Sequence, residues 1–255
     1  MNCKNANQEL GFDKFAECDY NLHWSFSNFN RMLMAAGQIA RLPLNALVLE
    51  LGAGSSELEN IVSINFKRTD IRFVKVDGDT QYESNESITV LDITKLDSWR
   101  RIPKESFDAV VFMEVIEHLA GDEPELILKK ISGCLKSEAL LILTTPTPPF
   151  EMKYETEVWP TDHNREFTFE QVYGMVNRWF KVVKEIGWSL EEREYNKLLE
   201  QASPEVCKIY SKLKGAFPES YIRAIMSCVA PVEYNRQVLL VCKKRRVTNG
   251  RFAQA

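Results

Sequence analysis

The chain has 255 residues, of which 45% are hydrophobic and 27% charged, and its formal net charge at pH 7 is −4. This size fits one large globular domain or one domain with an insertion, and the mild acidity excludes a strongly basic, nucleic-acid-coating protein. The six cysteines are scattered and include no Cys-x-x-Cys pair, which favours reduced thiols. The sequence shows neither a membrane-length apolar run nor a signal peptide, so we expect a cytoplasmic protein.

The N-terminal part, residues 1–44, begins polar and ends in a predicted helix over residues 25–41. Its apolar residues recur at helical spacing and fall close to one face, namely Phe26, Phe29, Met32, Leu33, Ala36 and Ile39. Packing of this face against a sheet is a sufficient reason for the pattern.

A short apolar run at residues 46–49 leads into Glu50, Gly52 and Gly54, which predicts a buried parallel strand followed by a glycine turn. Glycine has no Cβ, so the backbone can turn tightly and a ligand can approach it closely. Residues 57–68 then predict a helix. The third glycine of the dinucleotide fingerprint is missing, and Glu50 would repel a pyrophosphate, so the loop suits a cationic cofactor better.

This loop resembles the first motif of the class I S-adenosylmethionine-dependent methyltransferases, an acid followed by Gly-x-Gly. The resemblance implies an α/β fold with a seven-stranded, mostly parallel, Rossmann-like sheet, helices on both faces and an antiparallel last strand. It also implies that Glu50, Gly52 and Gly54 bind S-adenosylmethionine, and that the N-terminal helix can cover the cofactor.

The second and third predicted strands each end in an acidic residue. In nucleotide-binding sheets the acid after the second strand accepts hydrogen bonds from ribose hydroxyls, so Asp77 and its neighbour Gly78 are predicted cofactor contacts. The alternative is a simple Asp-Gly turn. After the third strand, the resemblance implies that Asp92 contacts the adenine amino group and Ile93 packs on the ring. Asp92 can instead cap the next turn.

Strand and helix patterns alternate along the chain, which predicts a parallel sheet covered on both faces. The predicted strands span residues 71–76, 88–91, 107–112, 139–143, 181–186 and 237–242, and the predicted helices span residues 123–135 and 169–180. We assign residues 45–189 to the S-adenosylmethionine-binding core. Residues 190–235 form a helical insertion before the last strand, which covers either the substrate or the sheet edge. Residues 236–255 form the last strand and a basic tail.

Glu114, Glu117 and His118 follow the fourth predicted strand at spacing i, i+3, i+4. If the chain turns helical there, all three share one face at the end of the sheet where ligands bind. Two carboxylates and an imidazole can then bind Mg²⁺ or Mn²⁺, with His163 from a distant loop as a fourth ligand. Alternatively, His118 or His163 acts alone as a general base on a hydroxyl. The sequence leaves both versions open.

Two branches of the methyltransferase family share these residues. The run Glu-Val-Ile-Glu-His-Leu with the later His-x-Arg-Glu-Phe-Thr is similar to the ubiquinone-type and sugar O-methyltransferases, which implies a hydroxyl of a sugar, a nucleotide-linked or an aromatic small molecule. The pattern Glu-x-x-Glu-His plus a later histidine is also similar to the Hua-enhancer-type small-RNA 2′-O-methyltransferases, which implies RNA as acceptor.

The first branch fits better, because the tryptophan that follows the later histidine in the second is missing and the chain is acidic. We therefore expect His118, His163 and Glu117 to be catalytic and Glu114 to contribute to the cofactor site. A non-catalytic cofactor-binding protein is the alternative from another class.

Overall fold

The computed structural model describes residues 22–54, 57–82, 85, 87–148, 152–153 and 164–245. Its strands are β1 (Leu47–Leu51), β2 (Arg72–Asp77), β3 (Ile88–Val90), β4 (Phe107–Met113), β5 (Leu135–Pro146), β6 (Met152–Lys153), β7 (Arg165–Glu166), β8 (Phe180–Gly187) and β9 (Gln237–Lys244). Its helices are α1 (Leu22–Ile39), α2 (Leu58–Phe66), α3 (Glu123–Cys134), α4 (Phe169–Trp179), α5 (Glu192–Glu200), α6 (Pro204–Ala216) and α7 (Glu219–Ser227).

Seven strands form one sheet in the order β3-β2-β1-β4-β5-β9-β8. Strands β1 to β5 pair in parallel, and β9 pairs antiparallel with both β5 and β8. The predicted seven-stranded, mostly parallel α/β fold is therefore confirmed. Strand order reverses between β1 and β4, and in open α/β sheets the crevice at such a reversal is where ligands bind.

The core lies on both faces of this sheet because alternate residues of a strand point to opposite sides. In β4, Val110 and Phe112 pack into one buried cluster with residues of α3 and α4. Ala109 and Val111 pack into the other cluster, with residues of α1 and α2. A central strand that is apolar on both faces reads as an uninterrupted apolar run in the sequence, as predicted for residues 107–112.

Three helices occupy the predicted insertion, and each begins or ends near a proline or a capping residue. Ser203 accepts a hydrogen bond from the amide of Val206 and begins α6, and Pro218 separates α6 from α7. The insertion contacts the N-terminal helix, because Asn30 of α1 donates a hydrogen bond to the carbonyl of Ala224 in α7. None of the helices within the described residues combines the length and apolarity that crossing a membrane requires.

Candidate active site

The glycine loop leaves β1 and folds over the end of β2. The backbone amides of Gly52 and Ala53 both donate to the carbonyl of Val76, at 2.9 and 3.1 Å. Gly52 and Gly54 have φ angles of +69° and +51°, a region that residues with a side chain rarely adopt. The backbone geometry therefore favours glycine at both positions.

Asp77, the predicted ribose carboxylate, lies directly against this loop. One carboxylate oxygen accepts the backbone amide of Gly54 at 2.6 Å, and the other accepts the amide of Asp79 at 2.9 Å. Each oxygen keeps a second acceptor position, so Asp77 can hold the loop and accept a hydroxyl at the same time. Gly78 has open space, since an added Cβ would come no closer than 4.0 Å to the Cα of Asp92.

Asp92 and Ile93 follow β3, at the same edge of the sheet as Asp77 at the end of β2. One oxygen of Asp92 accepts both the amide and the hydroxyl of Thr94, at 2.9 and 2.7 Å, so this aspartate does cap the next turn. The Thr94 hydroxyl is the main reason that the pKa of Asp92 lies below its ordinary value. Ile93 is buried and its carbonyl accepts the indole N–H of Trp99. Contact of Asp92 and Ile93 with adenine stays a prediction.

Glu50 is the fourth residue of β1 and only 2% exposed. Its strand neighbours are Lys75 of β2 and Val111 of β4, so the carboxyl group lies in the middle of the sheet beside the glycine loop. A bound cation beside this carboxyl group would favour its charged form and would interact with it more strongly than in water.

The expectation that Glu114, Glu117 and His118 share one face of an α-helix is wrong. Strand β4 ends at Met113, Glu114 has φ of +53°, and Ile116–His118 forms a single 3₁₀ turn. The left-handed residue at position 114 reverses the chain before a helix can start. The two carboxyl groups consequently make different contacts.

Glu114 pairs with an arginine that our sequence interpretation missed. Its Oε1 accepts the hydroxyl of Thr144 at 2.8 Å and lies 3.3 Å from Nη1 of Arg31, which comes from α1. The guanidinium group of Arg31 also lies 5.3 Å from the ring centre of Trp188, at cation–π distance. The available signal was that Arg31 is the only lysine, arginine or acidic residue within α1.

Glu117 is fully buried, and its Oε2 accepts the hydroxyl of Thr145 at 3.0 Å. Its Oε1 has no hydrogen-bond partner among the described residues. Burial, and then the nearby charge of Glu114, raise the pKa of Glu117 well above its ordinary value. Burial therefore disfavours the charged form of Glu117, which is the form that a proton-accepting base or a metal ligand requires.

The described residues do not fit the predicted metal site. Among them, no three His, Cys, Asp or Glu side chains group closely enough to hold a metal ion. A metal also requires deprotonated ligands, whereas burial disfavours the charged form of Glu117 and Glu114 is paired with Arg31. The fourth predicted ligand, His163, lies outside the described residues.

His118 is partly exposed at the end of the 3₁₀ turn. Asn164, the residue after His163, donates its backbone amide to the carbonyl of Glu117 at 3.0 Å and its side-chain amide to the carbonyl of His118. The turn also touches the glycine loop, because a Cβ added at Gly52 would lie 2.3 Å from Cγ2 of Val115. The turn that carries His118 thus lies next to the glycine loop.

The sequence profile of a protein family described as "Methyltransferase domain" matches residues 23–206, well over half of the chain. No match was found among curated protein sequences.

Solved structures with the same fold include a SAM-dependent methyltransferase from Archaeoglobus fulgidus, at 16% identity and a TM-score of 0.51, with 88% of this chain and 100% of that chain covered. A second is the 1,6-didemethyltoxoflavin-N1-methyltransferase of Burkholderia thailandensis with bound S-adenosylhomocysteine, at 13% identity and a TM-score of 0.52, covering 95% and 85%. A third is coclaurine N-methyltransferase, at 19% identity and a TM-score of 0.54, covering 89% and 75%.

Proposed function

The chain belongs to the methyltransferase-domain family and is an S-adenosylmethionine-dependent methyltransferase, and from this premise we propose that its acceptor is a hydroxyl group of a small molecule. The observation that supports this most directly is the contact between the glycine loop and the turn that carries His118. The turn that carries His118 lies beside the glycine loop, near the strand-order reversal, which is where such sheets bind ligands.

Cofactor binding is assigned to the loop and to the carboxylates beside it. The glycine loop admits the cofactor close to the backbone, Asp77 accepts its ribose hydroxyls, and the buried carboxyl group of Glu50 favours a ligand with positive charge. Asp92 and Ile93 lie where the adenine contact is proposed, one strand further along the sheet.

In the reaction, the acceptor oxygen attacks the methyl carbon, the carbon–sulfur bond breaks, and S-adenosylhomocysteine leaves as a neutral thioether. The hydroxyl proton must go to a base, because a hydroxyl group is a poor nucleophile while protonated. His118 is the described residue that we assign to this role, since it is partly exposed, whereas burial disfavours the charged, proton-accepting form of the adjacent Glu117. His163 stays the second candidate.

Activation of the acceptor by Mg²⁺ or Mn²⁺ has less support. Among the described residues no three possible ligands lie close together, and burial disfavours the charged form of Glu117. Turnover with and without a chelator separates the two versions. General-base catalysis predicts full activity in chelator and a loss of about 10²–10⁴-fold in His118→Ala. Loss of activity in chelator, restored by added Mg²⁺ or Mn²⁺, would show instead that a metal ion activates the acceptor.

The acceptor can be identified by incubating the protein with methyl-labelled S-adenosylmethionine and cell extract. We expect the label in small molecules that pass a low-molecular-weight filter, and roughly tenfold less transfer by Asp77→Ala at limiting cofactor. Label that is retained by the filter and released by ribonuclease would contradict the small-molecule proposal and favour the RNA alternative. The coclaurine and toxoflavin enzymes are N-methyltransferases by name, so the atom that receives the methyl group must also be determined.

A further inference from the structure

Helices α6 and α7 expose an unusual amount of apolar surface. Helix α6 is 13 residues long and has no buried residue. The exposed apolar side chains of the two helices and their flanking residues, between 37% and 83% exposed, are Val206, Ile209, Leu213, Phe217, Tyr221, Ile225 and Val229. We call this set the apolar face. Soluble monomers rarely expose large apolar patches unless something binds them.

The spacing of these residues shows that the apolar face is continuous. Val206, Ile209 and Leu213 follow one another at intervals of three and four, so they lie on one side of α6, while Lys208 and Lys212 lie on another. Phe217, just beyond α6, stacks on Tyr221 of α7 with ring centres 5.8 Å apart. The stack joins the two helices into one surface bordered by lysines.

The N-terminal helix starts beside this surface. Asn30 of α1 contacts Ala224 and Cys228, and Met34 contacts Cys228, so α1 and α7 progress in the same direction where they touch. Residues before Asn30 therefore lie toward the beginning of α7, where the Phe217–Tyr221 stack is. At about 1.5 Å per residue, Leu22 lies about 12 Å further back along α1 than Asn30.

The 21 residues that precede Leu22 have the composition to cover the apolar face. They include Leu10, Phe12, Phe15 and Tyr20, and they carry four acids against two lysines. Helix α6 carries three lysines and one glutamate, so the charges of the two segments are complementary. Residues 10–20 span up to about 36 Å when extended, and α6 is about 20 Å long, so the length is sufficient.

We propose that residues 10–20 bind across the apolar face of the same chain, with Phe12 and Phe15 as the apolar anchors. Asp13 and Glu17 then lie beside Lys208 and Lys212. This contact ties α1, which supplies Arg31 to Glu114, to the helical insertion. The inference rests on the fold and on the described surface, and it is independent of the acceptor proposed above.

Photo-crosslinking of the full-length protein tests this inference. A benzophenone amino acid replaces Leu213 on the apolar face, and a control replaces Leu96, which is 59% exposed in a turn outside the insertion. Isotopically heavy and light chains are mixed, irradiated and analysed by mass spectrometry. We expect position 213 to crosslink to a peptide within residues 1–21 of the same chain, and position 96 not to. Heavy–light crosslinks at position 213, or none to residues 1–21, would overturn the proposal.

Two sets of variants test the proposed contacts. Phe12→Ser with Phe15→Ser should lower the crosslink yield by about tenfold, because two aromatic side chains are removed. Lys208→Glu with Lys212→Glu should lower it by about twofold to fivefold, and Asp13→Lys with Glu17→Lys should restore it. An unchanged yield in the double phenylalanine variant, with the melting temperature also unchanged, would contradict this mode of binding.

Discussion

The carboxylate of Asp77 accepts the backbone amide of Gly54 at 2.6 Å, although the two residues are 23 positions apart in the chain. The bond joins the end of β2 to the glycine loop that follows β1. The same carboxylate is the proposed acceptor for the cofactor ribose. We therefore expect cofactor binding to depend on the same side chain that holds the glycine loop in place.

Replacing Asp77 by alanine should weaken S-adenosylmethionine binding by roughly tenfold or more. Hydrogen bonds to a charged group contribute about 1.5–3 kcal/mol each, and the variant loses both the ribose contact and the bond that holds the loop. Calorimetric titration measures the affinity. Asp97→Ala, at a side chain that is 83% exposed, is the matched control. Equal affinities for Asp77→Ala and the control would remove Asp77 from the site.

Gly52→Ala should lower the free energy of unfolding by about 2–4 kcal/mol, because it combines left-handed backbone strain with overpacking. The sequence suggested that a side chain here would fill the cofactor's space; the structure shows a nearer obstacle in Val115. Val115→Ala should therefore recover part of the loss, leaving the strain. Urea denaturation of both single variants and the double variant measures this. Strictly additive losses would show that Val115 does not limit position 52.

The Arg31–Glu114 pair should couple α1 energetically to the end of β4. Its side chains are only 15% and 23% exposed, so solvent screens them weakly. A double-mutant cycle with Arg31→Met and Glu114→Gln should give an interaction energy of about 0.5–3 kcal/mol in unfolding. The cycle for Arg100 and Asp97, both 83% exposed, should give less than about 0.5 kcal/mol. Indistinguishable values for the two pairs would contradict a structural role for Arg31.

Glu117→Gln should become progressively more stable than the wild-type protein as the pH rises. The folded-state pKa of Glu117 is raised, so its contribution is fully present below the unfolded pKa and is lost as pH rises toward the folded pKa. Glutamine does not titrate, so the difference in unfolding free energy should grow by up to about 1.4 kcal/mol per pH unit. Denaturation between about pH 5 and pH 8 measures it. A difference that does not change with pH would mean that Glu117 is ionised.

The same variant should keep its methyltransferase activity, since glutamine reproduces a neutral hydrogen-bonding side chain. His118→Ala should lose it. Turnover measured at saturating S-adenosylmethionine separates these effects from cofactor binding. Loss of activity in Glu117→Gln with normal folding would instead assign the proton-accepting role to Glu117.

Much of the fold followed from local patterns. Buried parallel strands appear as continuous apolar runs, and the two glycines mark positions where φ is positive, so β1, β4 and the loop were predictable. The turn after β4 was not, because the spacing of Glu114, Glu117 and His118 fits both a helix and a 3₁₀ turn. The left-handed backbone of Glu114 excludes a helix that starts at this residue. Glutamate has no special preference for that conformation, so the sequence does not predict it.

The contacts of the two glutamates were also beyond sequence reasoning. Arg31 and Glu114 are 83 positions apart, and their pairing depends on how α1 packs against the sheet. The burial of Glu117 follows from its position between Ile116 and Leu119, which are themselves buried, and from the hydroxyl of Thr145 in β5. These contacts come only from the tertiary structure, and they determine how readily each carboxyl group carries a charge.

The central claim is that this methyltransferase moves the methyl group of S-adenosylmethionine to an oxygen atom of a small molecule. The most direct measurement is a carbon-13 spectrum of the product made from methyl-¹³C-labelled cofactor and the purified acceptor. We predict a methyl resonance at the position of a methyl ether, absent from reactions with His118→Ala. A resonance of a methyl group on nitrogen or sulfur would contradict the account.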